Sequence, residues 1–85
     1  MMEIRNPAKL AADIELDLER FRSAETLVHM PATMGDLARA LGRIAVMLRE
    51  ADRRGQTVDL GDEVVRLIQQ FRGTLRTVGG APAEA

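Results

Sequence analysis

The side chains in this sequence that could do chemistry are few: one histidine, His29; the carboxylates Asp13, Glu15, Asp17 and Glu19; hydroxyls at Ser23, Thr26, Thr33, Thr57, Thr74 and Thr77; and the arginines Arg39, Arg43, Arg49 and Arg53. A nucleophilic hydroxyl needs a base held in place by a third group. No serine or aspartate stands at a spacing that would recruit His29. Its position beside Met30-Pro31 instead places it near a helix C-terminus, where a protonated imidazole meets the negative end of the dipole. The four carboxylates alternate at period two, which scatters them around a helix and makes them a solvated acidic rim rather than a paired acid and base. Bundle metal centres use Glu-x-x-His pairs projecting inward, and this chain has none. Cysteine is absent, which removes disulfides and thiolate zinc sites. No phosphate loop occurs either. The expectation is a non-enzymatic protein with no catalytic residue, metal, cofactor or small-molecule substrate.

The arginines offer a second chemistry. At ~100° per residue, Arg39, Arg43, Arg49 and Arg53 gather on one side of a helix with Gly42 and Val46 between them, a face that could meet phosphates or the carboxylates of a partner. Glu50 and Asp52 partly neutralise it. The balance of the whole chain argues against a general grip on nucleic acid or anionic membrane, because thirteen acidic side chains face twelve basic ones. Two phenylalanines, with no tyrosine or tryptophan, leave few platforms on which bases could stack.

These residues must be positioned by helices. Thr33 to Gly55 is the stretch around which the rest is organised, since Met34, Leu37, Leu41, Ile44, Leu48 and Ala51 recur at threes and fours as one coiled-coil-like seam. Thr33 with Asp36 reads as a capping box, and Arg53-Arg54-Gly55 as a helix end. Before it, Asn6-Pro7 opens a first helix with a cap and a proline at the first position. Leu10, Ile14, Leu18, Phe21 and Val28, with Ala11 beside them, make its core stripe. Leu16 and Leu27 lie on the opposite side near Ala12 and Ser23, so this helix is apolar on two faces, a pattern expected where another helix or another chain covers it. The third helix has Asp59 and Asp62 at its front and a stripe of Val64, Ile68, Phe71, Leu75 and Val78, with Leu60 and Leu67 on the shoulder; Gln69, Gln70, Arg66, Arg72 and Arg76 fall mainly outside it. The spacing predicts helices over about 7–29, 34–54 and 60–78, an N-terminal extension over 1–6 and a mobile tail over 79–85.

Within the central helix, Leu37-Ala38-Arg39-Ala40-Leu41-Gly42 resembles the first helix and turn glycine of bacterial helix-turn-helix repressors. The likeness covers about six residues. Where such proteins turn into a recognition helix, Arg43-Ile44-Ala45-Val46-Met47-Leu48 carries the seam through, with neither a polar turn residue nor a second cap. What the resemblance implies is a DNA-binding repressor; separately, the arginine face allows a dimeric DNA-binding regulator or antitoxin that presents Arg39, Arg43, Arg49 and Arg53 to phosphates.

Length fits one domain of 85 residues. Short connections between three helices predict an all-α, up-down-up three-helix arrangement with heptad seams that associates into a dimer or larger bundle. No apolar run approaches the ~20 residues of a membrane span, and the start MMEIRNP lacks the apolar stretch of a secretory signal. The expected setting is a cytoplasm, and the arginine-, alanine- and glycine-rich usage suggests a bacterial or phage source. The leading functional expectation is an adaptor or inhibitor that binds a helical protein partner or a second copy through Leu16, Leu27, Met34, Leu37, Leu41, Ile44 and Leu48, with the DNA-binding regulator as the alternative.

Overall fold

A computed structural model describes residues 2–78 and, for side chains, residues 4–77. The side chain of Val78 and the tail 79–85 lie outside the described residues. Three helices pack against each other: α1 (Pro7–Glu25), α2 (Ala32–Arg53) and α3 (Asp62–Val78), accompanied by two short strands, β1 (Met2–Ile4) and β2 (Val58–Leu60). The contact between α1 and α2 is the most extensive. The molecule measures 39 × 26 × 21 Å.

Each helix boundary has a local cause. The Asn6 side chain accepts a hydrogen bond from the Lys9 amide at 3.3 Å and Pro7 follows at the first helical position, as the sequence led one to expect. The far end comes earlier than expected, at Glu25, because the Thr26 hydroxyl donates to the Ser23 carbonyl at 2.7 Å and closes the last turn. Val28 therefore leaves the helical stripe and is exposed. Helix α2 begins at Ala32 after an extended Pro31 with no side-chain cap, so Thr33 lies within the helix and Asp36 pairs with Arg39 instead of completing a capping box. Its C-terminus ends as expected. Gly55 adopts φ 69° and donates to the Asp52 carbonyl at 3.0 Å, while Gln56 donates to Ala51 at 2.9 Å, the paired bonds of a Schellman turn.

The strands are the feature the periodicity did not announce. β1 pairs antiparallel with β2 in the register Met2↔Leu60, Glu3↔Asp59 and Ile4↔Val58. Segment 1–6, expected to stand outside the domain, thus contributes a strand to it, and Asp59 sits in β2 rather than at a helix cap. Two three-residue strands are marginal alone. Here Leu60 is buried and Val58 packs against the core, so tertiary burial supports the ribbon.

The core is shared by all three helices: Ala11, Ile14 and Phe21 from α1; Met34, Leu41, Ala45 and Leu48 from α2; Ile68, Phe71 and Leu75 from α3. Leu10, Leu18, Leu37, Ala38, Ile44 and Val64 pack against it, half-buried. On α2 Ala45 is buried where Ile44 is only half-buried, so the deepest strip is turned slightly toward Ala45. Phe21 and Phe71 meet with ring centroids 5.6 Å apart and planes at 51°, a favourable tilted contact.

Candidate functional site

The seven expected interface residues divide between two fates. Met34, Leu41 and Leu48 are consumed by the chain's own core, and Leu37 and Ile44 pack against it, so in the folded monomer α2's seam faces inward rather than toward a partner. Leu16 and Leu27 do the opposite. They lie on α1 and its following turn at 47% and 83% exposure, on the side away from Ala11, Ile14 and Phe21. With Glu19, Arg20, Ser23 and Ala24 they line one open groove. Leu16 also borders two neighbouring depressions, one with Asp13, Asp17, Arg20 and Arg72 and the other with Ala12, Glu15, Glu19 and Arg22. The turn keeps Leu27 in line with the helix, since the Leu27 and Val28 amides both donate to the Ala24 carbonyl at 2.9 Å. Val46, which stands among the arginines, and its neighbour Met47 are likewise exposed on α2.

The arginine face is largely matched from within. Arg39 pairs with Asp36 at 2.5 Å, Arg53 with Glu50, and Arg54 with Glu50 at 3.1 Å. Arg49 reaches across to α1 and grips Glu15 with both prongs, Nε to Oε2 at 3.0 Å and Nη2 to Oε1 at 2.6 Å. Only Arg43 of the four has no ion pair among the described residues.

The Arg49 fork also fixes the direction in which Glu15 titrates. Its hydrogen bonds hold the Glu15 carboxyl below the ordinary glutamate value, partial desolvation opposes this, and Coulomb attraction adds to the lowering. A depressed folded value means the bond stabilises the fold above the ordinary glutamate range and is lost as pH falls through the folded value. In a carboxyl-resolved NMR titration we expect Glu15 to titrate low and Arg49→Met to return it to the usual range. An unchanged midpoint in that variant would refute the fork in solution.

Asp17 departs from the expected acidic rim. It is 4% exposed and receives Arg72 of α3 at 2.9 Å from Nε and 2.7 Å from Nη2, both on Oδ2. That hydrogen bonding raises the Arg72 pKa above its ordinary value against the desolvation that opposes it. Asp17 stands three residues after Ile14 and four before Phe21, on the core side of α1, whereas Arg72 lies outside the α3 stripe and reaches Asp17 from its edge.

His29 is exposed in the loop after α1, beyond the helix end it was expected to cap, and makes no hydrogen bond or ion pair among the described residues. Thr26 and Thr77 spend their hydroxyls on the Ser23 and Gly73 carbonyls. Among the described residues no group of three or more histidines and carboxylates could hold a metal ion. No helix there is long and apolar enough to cross a membrane. Compared with known proteins, the chain matches no family model, and no curated protein or solved structure matches it either.

Proposed function

We propose that the protein is a small non-enzymatic helical interaction module, an adaptor or inhibitor that works by laying the outer strip of α1 on a second protein. The observation that carries this reading is the pair Leu16 and Leu27, exposed at 47% and 83% on one groove while the opposite side of α1 is used up in the core. Exposed leucines standing in line across a groove offer a partner apolar area that water solvates poorly. Glu19 and Arg20 beside them would set orientation and exclude wrong partners. An up-down-up bundle with heptad-like seams fits this use, because it presents α1 on a rigid support. A bacterial or phage cytoplasm is the setting the composition suggests.

The DNA-binding alternative draws less support. Three of its four arginines, Arg39, Arg49 and Arg53, already face Asp36, Glu15 and Glu50, and freeing them for phosphates would forfeit those pairs.

Affinity capture from the source cells tests the leading reading, with the wild-type chain, Leu16→Asp/Leu27→Asp and Val46→Asp/Met47→Asp as baits. The expected result is a partner, whether another protein or a second copy, held by the wild type and by the α2 variant and lost with the α1 variant. A partner lost only with the α2 variant would move the site to Val46 and Met47. No partner dependent on either patch would remove the reading.

A further inference from the structure

We infer that the outer face of α3 contacts double-stranded DNA in the major groove, a second binding activity that does not depend on the α1 strip. It starts from a residue that the fold itself does not call for. Gly73 stands inside α3 and is exposed. Glycine disfavours a helix severalfold relative to alanine. A Cβ added at Gly73 would meet nothing within 4 Å, so no contact inside the chain requires its absence. What a bare position on an outer face does provide is close approach of an external body to the helix backbone.

The residues around this notch select the body that fits it. Gln69, Gln70, Arg76 and Thr77 are its neighbours on the helix surface, at i−4, i−3, i+3 and i+4, and all four are exposed, opposite the buried Ile68, Phe71 and Leu75. Arg66 lies on the same side at i−7. The side chains of Arg66, Gln69, Gln70 and Arg76 make no hydrogen bond or ion pair among the described residues, whereas Arg39, Arg49 and Arg53 of α2 are matched by acids. The acids of α3, Asp62 and Glu63, are confined to its first turn, and residues 64–78 carry Arg66, Arg72 and Arg76 with no acid among them. That imbalance complements a polyanion.

Arg72 is engaged by Asp17, which leaves Arg66 and Arg76 for phosphates. They stand ten residues apart, about 15 Å along the axis, a separation that suits the two walls of a major groove about 12 Å wide. Between them, each glutamine amide offers the donor and acceptor that match the edge of adenine. A net charge of −1 for the whole chain agrees with a grip confined to one face. Two free cations make it modest, with a Kd on the order of 10–100 μM at low salt.

The test is fluorescence anisotropy of a short labelled DNA duplex of mixed sequence, titrated with the full chain at low salt and then at stepped salt. The wild type should bind saturably, and its log K should fall against log salt with a slope of about −2, one unit for each free arginine. Arg66→Gln and Arg76→Gln should each remove about one unit of slope, and the double variant should weaken binding about tenfold or more. Gly73→Ala separates a surface role from a structural one, because it should raise the urea midpoint while weakening binding several-fold. Arg39→Gln/Arg43→Gln on α2 and Leu16→Asp/Leu27→Asp on α1 should bind DNA as the wild type does. Circular dichroism checks that each variant keeps its helices.

No binding at low salt overturns the proposal. So does binding that Arg66→Gln/Arg76→Gln leaves unchanged, or a Gly73→Ala variant that binds as tightly as wild type. A chain that ignores DNA but holds a protein through Arg66 and Arg76 gives the face to another class of partner and equally overturns it. None of these outcomes touches the α1 reading, which stands or falls on Leu16 and Leu27.

Discussion

Phe71→Ala should lower the stability of the fold by about 3–5 kcal/mol. Phe71 is 0% exposed, rests on Phe21 at 5.6 Å, and belongs to the cluster where the three helices share their core. Emptying such a site removes the transfer free energy of a large ring and leaves a cavity that neighbouring helices close only in part, a loss of about 3–5 kcal/mol. A chain of 85 residues is expected to have a total stability of about 4–13 kcal/mol. The substitution therefore takes between about a quarter and all of it. Phe71→Leu, which keeps most of the volume, should cost only about 1–1.5 kcal/mol. Urea denaturation followed by circular dichroism at 222 nm, the usual helix band, compares the three proteins. If the alanine variant kept a midpoint close to wild type, the packing described for the core would be wrong.

The second large effect belongs to the pair between Asp17 and Arg72. Arg72→Met strands a carboxylate at 4% exposure with no cation beside it. Breaking a buried pair from one side costs about 3–5 kcal/mol when both partners are deep. The Arg72 side chain is 40% exposed, so water makes up part of the loss and about 2–3 kcal/mol is expected. Asp17→Leu should be milder, because the guanidinium it abandons can turn outward. The double variant Asp17→Leu/Arg72→Met should stand closer to wild type than Arg72→Met alone. In a double-mutant cycle the two changes would then be strongly coupled. Additive losses would mean that the two groups act separately and that the pair does not join α1 to α3.

How much of this was legible in the sequence depended on the range of the physics involved. Periodicity is local, and it located what local patterning determines: three helices, the Asn6-Pro7 start, the Gly55 stop, and the outward stance of Leu16 and Leu27. It failed where a distant residue decides. Asp17 read as one more solvated acid because its partner lies 55 positions away. Glu15 and Arg49, on different helices, looked like independent surface charges for the same reason. Met2–Ile4 and Val58–Leu60 are three residues each, too short for an alternating pattern to register, and become strands only by meeting. Val28 misled in the other direction, since apolar spacing continued past Glu25 although the Thr26 hydroxyl had closed the helix. The interface residues on α2 illustrate the remaining ambiguity. A seam announces that a helix must be covered, and Met34, Leu41 and Leu48 turned out to be covered at home.

The ribbon of β1 and β2 makes the two ends of the molecule mechanically unlike. It fastens the beginning of α1 to the approach of α3 through main-chain bonds, which do not depend on which side chains are present. About 28 Å away along α1, at 1.5 Å per residue, the connection carrying Leu27 has no such brace among the described residues. Any spreading of the helices should accordingly pivot about the braced pole and be widest at the other, like shears riveted at one tip. A partner seated near Leu27 would hold the molecule where the leverage is greatest.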